Sequence, residues 1–587
     1  MVLNTPGFLR YYDETIDLLL ERGHEVLLGF TDARMRAEAL ANLDERPRRP
    51  TLLGQVPRRD DRYAPVADEV RALIDFARYL HPRFAPARFL RDRRRLAVLE
   101  LPVWADLLGD RDNLPAPLAR ALSALLLTVE RAVPSAPDIE AFLRETAADV
   151  VLVSPLVTPF SPQTDYVKSA RVLGLPCGLC VASWDNLTNK GVIHEQPDRV
   201  FVWNAAQAQE AADLHGVASE RIVITGAQPF DRLFSRGPAT DREVFCRRVG
   251  LDPRRPFVLF TGSTSNITDH GEEDRFVRRW IQALRSSPDP TVAGAGVLVR
   301  PHPDRRGAWP DLGLGGVADA VVWPPERPNS VTSAARDEYL DSLVHAAAVV
   351  GVNTSAMVEA AVIDRPVLSL RLPEFREAHE GTLHFAHLEP GHGGPLAVAR
   401  SLDAHIGQLG ELLRDPAPAS ARNRRFVEAF VRPHGMERPA TPVLADAVEA
   451  LGALQPAAAR GAAWRPARAL VHAELLVHAR RTKRRERREE RRARLATMEK
   501  VDLGPLRRWT KRTNRRLERR ARRVERRAPP VAGGLRRMQA GLDGAVRGYE
   551  VRVRRREQAR KAGLAVKEVP PSRARVAAVR RRWEEKT

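Results

Sequence analysis

Residues 347–370, AAVVGVNTSAMVEAAVIDRPVLSL, read as a buried strand, a short polar turn, a helix, Arg-Pro and a second buried strand. A strand ending at Gly351 and Val352 delivers Asn353, Thr354 and Ser355 to a helix start, where free backbone N–H groups and the helix dipole favour an anion. Glu359 follows Ser355 by one helical turn and lies on the same face. A carboxylate there can accept hydrogen bonds from a ribose while the turn holds a diphosphate, an arrangement suited to a nucleotide-activated donor. Ser and Thr also start helices as plain caps, so the rest of the chain must decide.

Working outward, short β-rich runs at 25–30, 149–153, 177–182, 199–203 and 221–225 alternate with helical stretches such as 13–22. A second series stands at 256–261, 296–300, 319–323, 347–352 and 366–370. The alternation predicts α/β architecture with two Rossmann-like doubly wound domains facing across a cleft. The expected boundaries are 1–236 for an acceptor domain and 237–455 for a nucleotide-donor domain, with a connecting helix in 237–256. Leu, Ala and Arg density marks 64–145 as a helical insertion, placed above the cleft on the acceptor side. Met1–Leu3 reads as the stub of a central strand, so a few residues are expected upstream of it.

The formal charge of +21 hides two unlike parts. Residues 456–587 hold 42 Lys and Arg against 14 Asp and Glu, whereas the first 455 residues hold 53 against 60. A mildly acidic body therefore carries a strongly basic extension, expected to be helical or partly disordered, with helix-compatible segments at 465–498, 507–527 and 536–562. Such a tail suits an anionic membrane surface. With few aromatics and no recognisable module, specific nucleic-acid binding is not expected. Three cysteines point to a reducing compartment. No apolar run reaches a membrane span, so the expected location is cytoplasmic, with any contact at the inner face of the membrane peripheral.

Two further strand ends carry polar groups. The strand at 256–261 runs into Gly262, Ser263 and Thr264, a small loop whose backbone can approach a phosphate. The strand at 296–300 ends in Arg300-Pro301-His302-Pro303, where two prolines hold His302 at the carboxyl edge of the sheet. His302 there can donate to a diphosphate or move a proton. In the first domain, Trp184, Asp185 and Asn186 emerge after the strand CGLCVA. Asp185 can serve as a base on an acceptor hydroxyl and Trp184 as a flat apolar surface; equally, Asp185 can cap a turn and Trp184 pack between domains. Pro6 and Gly7 can line the same side. Cys177 and Cys180 share one strand at an offset that points them to opposite faces, and His379, His384, His387 and His392 fit no ligand spacing; no metal or cofactor is called for.

RPHP (300–303), the segment 336–370, SWDNLTNKG (183–191) and the segment 198–231 together resemble the CDP-glycerol glycerophosphotransferase-like and related GT-B glycosyltransferases of bacterial surface-polymer synthesis. The segment at 347–370 is also similar to the phosphate- and ribose-binding helix of UDP-N-acetylglucosamine 2-epimerases. The resemblance spans residues 1–450 at fold level and excludes the tail. It implies a GT-B-type transferase that moves a sugar or polyol phosphate from a nucleotide-activated donor to a glycan, lipid-linked or teichoic-acid-like acceptor. It also implies donor phosphates at Thr354, Ser355 and His302 and the ribose at Glu359; Arg300, at the same strand end as His302, is placed in the donor set by position. Thr354-Ser355 and Val358-Glu359 depart from the epimerases' double glycine and acidic pair. The His-Gly pair often carried by glycerophosphotransferases is absent from SWDN. A nucleotide-sugar epimerase and a non-enzymatic polyanion-binding protein are the alternatives.

Overall fold

Parallel pairing gathers the strands of the body into two sheets in a computed structural model. It describes residues 1–32, 48–159, 161–265, 267–305, 312–314, 316–327, 332–455 and 504–525, with isolated positions between 467 and 475 and between 536 and 547. The first sheet holds β1 (Val2–Leu3), β2 (Leu27–Phe30), β3 (Thr51–Gln55), β4 (Val151–Ser154), β5 (Cys177–Cys180), β6 (Arg199–Val202) and β7 (Ile222–Ile224), in the order β3-β2-β1-β4-β5-β6-β7. The second holds β8 (Phe257–Thr261), β9 (Gly296–Arg300), β10 (Ala320–Val322), β11 (Ala348–Gly351), β12 (Val367–Leu370) and β13 (Ala397–Ala399), ordered β10-β9-β8-β11-β12-β13. Both orders reverse beside their first strand, which puts a ligand crevice at the carboxyl ends of β1 and β4 and of β8 and β11. The expected pair of doubly wound domains is present.

Central strands are buried on both faces and so read as continuous apolar runs. The face of the second sheet carrying Leu259, Leu298 and Val349 packs on Met357 and continues into Trp184, Trp203 and Phe230 of the first domain. The connecting helix Arg242–Val249 buries Phe245, Cys246 and Val249 in that same cluster and ends at Gly250, whose φ of +86° suits glycine. Cys177 and Cys180 fall in different core clusters, on opposite faces of β5, and both are free thiols. Burial pushes the Cys180 thiol up to about 12, so it is unreactive.

Three features differ from the sequence reading. β3 and β13 are edge strands that apolar patterning does not reveal: β3 is partly exposed and interrupted by Gly54, and β13 has three residues. The helix Ala440–Gly452, within the segment assigned to the second domain, packs on the first. Leu444, Ala445, Val448 and Leu451 join Leu3, Leu9, Tyr12 and Ile16, while Arg22 meets Asp446 (2.8 Å) and Glu449 (2.9 Å). The first compact unit also runs to Leu475, beyond the composition break at 455; Ala467 and Val471 are buried against Val66, Leu126 and Val129 of the insertion.

The insertion folds as helices Ala64–Arg78, Arg88–Leu99, Pro102–Leu108, Ala116–Ala132 and Pro137–Glu145. A buried ionic network fixes it to the first domain. Arg71 bridges Glu130 (3.0 Å) and Asp165 (2.7 Å), Lys168 reaches Glu130 (2.9 Å), and Arg59 reaches Asp165 (2.9 Å).

The second unit, Leu476–Val579, contains the helix Gly504–Val524. Gly504 and Pro505, just ahead of the segment 507–527 expected to be helical, open this helix, consistent with proline's missing N–H and preset φ. The expected segments 465–498 and 536–562 lie mostly outside the described residues. Among the described residues no helix is long and apolar enough to cross a membrane.

Candidate active site

At the carboxyl edge of the second sheet, Thr261 is paired with Arg300 on one side and Gly351 on the other, so three loops leave at one level. A Cβ on Gly262 would lie 2.9 Å from the His302 backbone nitrogen, so only glycine lets the loops after β8 and β9 meet. The turn after β11 is braced from below. Asn353 Nδ2 donates to the Ala378 carbonyl (2.7 Å) and Thr382 Oγ1 (3.0 Å), and His379 Nε2 lies 3.1 Å from the Val352 carbonyl.

Arg300 is the best-defined candidate ligand group. Its side chain is 7% exposed, lies over the Tyr339 ring (5.6 Å to the centroid) and stands 3.5 Å from Glu338, yet Nη1 makes no hydrogen bond. Burial pulls its pKa down against the opposing pull of Glu338 and Tyr339. A buried guanidinium nitrogen without a hydrogen bond is costly, and an incoming anion relieves that cost. Tyr339 donates to Glu359 Oε2, leaving Oε1 for another donor. Burial raises the Glu359 carboxyl's proton affinity, opposed by Tyr339, Arg232 and Arg10.

Ser355 starts the helix Ala356–Val362 without capping it through its side chain; its Oγ accepts instead from the Trp184 indole (3.0 Å). His302 Nδ1 lies against the Asp304 carboxylate, which also accepts from Thr264 Oγ1 (2.7 Å). His302 is 31% exposed, and Nε2 has no partner among the described residues. The second domain thus brings together Arg300, His302, Thr354, Ser355 and Glu359.

Other expected roles change. The Gly262 amide donates to the Arg300 carbonyl (2.8 Å) and that of Ser263 to Glu273 (2.9 Å). These two amides are committed to the fold rather than available to a phosphate, and fully buried Ser263 is structural. Trp184 is 3% exposed and packed edge-on to His384 (4.6 Å), so it joins the domains rather than offering a flat face. Asn186 Oδ1 accepts from the amides of Ala182 and Ser183 (both 3.2 Å), holding its own loop. Asp185 pairs with Lys190 (3.3 Å) and accepts from Asn189 (2.8 Å). Burial works against its charge, but Lys190, His384 and bonds from Ser183 and Asn189 outweigh it and hold the carboxyl below the usual range. A carboxylate held so firmly ionised is a poor general base. Pro6 opens the 3₁₀ turn Pro6–Tyr11 at the end of β1. Gly7 has no steric need to be glycine, since an added Cβ would approach only Thr5 Oγ1 at 3.6 Å.

Several groups escaped sequence reasoning because they come from ordinary helices. Arg10 and Arg232, from the first domain, act electrostatically on Glu359, and Arg336 bridges to Asp13 (3.2 Å) across the domains. The Arg232 guanidinium makes no hydrogen bond or ion pair among the described residues, and burial lowers its pKa against the pull of Glu359. Glu14, in the first turn of the helix Asp13–Glu21, has its proton affinity raised by burial and by Asp231 against the pull of Arg232. The SWDNLTNKG loop is held by the insertion. Arg78 donates to the carbonyls of Gly191 (2.8 Å) and Leu187 (2.6 Å), and Asp75 meets the Val192 amide (2.9 Å) and His194 (3.0 Å). His379, His384 and His387 each have separate partners: Val352, Thr188 and Glu210.

No family model and no curated protein matches the chain. Solved structures similar to it include WaaG, a glycosyltransferase involved in lipopolysaccharide biosynthesis (14% identity, 77% of this chain and 100% of that one, TM-score 0.39). The UDP-GlcNAc 2-epimerase from Neisseria meningitidis is another (12%, 77% and 100%, 0.42). The wall teichoic acid polymerase TagF matches over less (13%, 43% and 57%, 0.31). At such identities and scores these likenesses carry no argument about chemistry, which is read from the site's own residues.

Proposed function

We propose that this protein is a glycosyltransferase-type transferase. It moves a sugar or polyol phosphate from a nucleotide-activated donor to a cell-surface glycan, lipid-linked or teichoic-acid-like acceptor. The observation that carries the reading is Arg300: a buried guanidinium whose Nη1 has the Glu338 carboxylate at 3.5 Å but no hydrogen bond, beside the Tyr339–Glu359 pair, at the switch point of a doubly wound sheet. The second domain holds the nucleotide. Arg300 and the Thr354-Ser355 turn meet the diphosphate, and Glu359 Oε1 accepts from a ribose hydroxyl. His302, turned by Asp304, meets the departing phosphate through Nε2. As the bond to the leaving oxygen breaks, its electron pair stays on that oxygen, which departs on a nucleoside diphosphate when a sugar is transferred and on a nucleoside monophosphate when a polyol phosphate is, and fixed cations there favour the transition state. The acceptor enters from the first domain past Pro6, Gly7 and the loop at 184–186. Glu14 is better matched than Asp185 to take its proton. The basic extension holds the enzyme at the anionic inner face of the membrane.

A thermal-shift screen of the full chain against CDP-glycerol and UDP-, GDP-, CDP- and dTDP-sugars tests the donor site, since a ligand bound only by the folded state raises its stability. Selective stabilisation by one nucleotide class, lost in Arg300→Gln, is expected. No shift with any donor would sink the reading. Conversion of a donor with no acceptor present would instead favour an epimerase.

A further inference from the structure

The helix Gly504–Val524 divides its faces sharply. At 3.6 residues per turn, Arg508, Arg512, Arg515, Arg516, Arg519 and Arg523 fall within about 100° of its circumference. All six are exposed. Thr510, Leu517 and Ala521 lie on the opposite side; Thr510 is 7% and Ala521 1% exposed. That side is occupied within the same unit. Asn514 donates to Asp543 (2.5 Å), and Arg536 donates to Glu525 (2.6 Å). Among the arc's neighbours the acid Glu518 is already paired with Arg522 (3.1 Å).

An amphipathic helix that enters a membrane buries its apolar stripe in the acyl boundary. Here Thr510 and Ala521 of the stripe are already buried and Leu517 is half-buried, while the described residues that the helix exposes are all charged, arginines with Lys511 and Glu518. Six guanidinium groups on one side of a straight rod about 30 Å long can meet a plane of phosphates together. The six residues of the arc are all arginines, with no amide among them for reading base edges, which favours a uniform plane of phosphates over base-specific recognition.

We infer that Gly504–Val524 is an electrostatic, non-inserting dock for an anionic lipid surface, with Arg508, Arg515 and Arg519 at its centre. The inference rests on reading the extension as membrane-facing. Near such a surface each basic residue contributes ~1 kcal/mol, about fivefold in partitioning. The test is co-sedimentation of the full chain with vesicles of phosphatidylcholine alone or with about 30% phosphatidylglycerol. The R508Q/R515Q/R519Q variant should partition about a hundredfold less onto the anionic vesicles, and raising salt from about 0.1 M to about 0.5 M should release the unmodified chain. Unchanged binding of the triple variant, or equal binding to neutral vesicles, overturns the dock and leaves membrane attachment standing by another route. Failure of the unmodified chain to bind either vesicle overturns both. Preference for a single-stranded oligonucleotide over anionic vesicles at equal phosphate concentration overturns the lipid assignment.

Discussion

Arg300 and Glu273 show how two buried ionisable groups in one half-domain serve different ends. Arg300 lacks a hydrogen bond at Nη1, so its replacement by Gln should cost donor affinity more than stability. A hydrogen bond to a charged group contributes roughly 1.5–3 kcal/mol, so titration calorimetry with the donor class found by screening should read at least a tenfold loss. Glu273 instead holds the loop behind the site, and burial pushes its carboxyl from 4.5 up to about 8, offset only in part by Ser263. Below pH 4.5 both folded and unfolded states keep the proton, and the folded state bears no penalty. As pH rises toward 8 the unfolded state ionises first, so stability falls by a total on the order of 3–5 kcal/mol. Glu273→Gln should abolish that slope and be the more stable protein at alkaline pH in urea denaturation. An identical slope in the variant would remove Glu273 as its source.

Among the elements, the insertion is tied both to the loop it steadies and to the chain beyond the body. Val471 contributes roughly 1.5–3 kcal/mol by its burial. A chain ending at 455 uncovers Val66 and Leu126, whereas one ending at 475 keeps them covered. Thermal unfolding should therefore show a transition several degrees lower for the shorter truncation than for the longer; equal midpoints would show that Ala467 and Val471 add nothing. The same elements show what sequence could reveal. Fully buried strands such as β11 and β12 announce themselves as apolar runs, and a turn with Thr354 and Ser355 stands out between them. Edge strands lack that signal. Arg10 and Arg232 gain meaning only once two domains face one another, and the Ser263 amide reads as free until Glu273, ten residues on, takes it. Trp184 and Asp185 carried two readings each: packing selects the buried, domain-joining indole for Trp184, bonded to Ser355, whereas the Asp185 carboxylate is committed to Lys190 and Asn189 and does not cap the helix it precedes.

At the scale of the whole body, Asp231 is the joint. Its carboxylate accepts from Arg432 (3.2 Å) and from the Thr441 amide (2.6 Å), where the returning helix begins. Replacing it by Ala strands a buried guanidinium and should destabilise by about 3–5 kcal/mol. Limited proteolysis should cut the segment before Ala440 faster in the variant; unchanged cleavage would place the joint elsewhere. The return of Ala440–Gly452 to the first domain has a consequence for synthesis. Domains commonly fold in turn as they leave the ribosome. Here the surface formed by Leu9, Tyr12 and Ile16 stays uncovered until Leu444 and Val448 have been translated. The face of the first sheet that carries Leu9, Tyr12 and Ile16 is thus among the last parts of the body to be finished, and a nascent chain stalled within the second domain would display an open apolar face to chaperones.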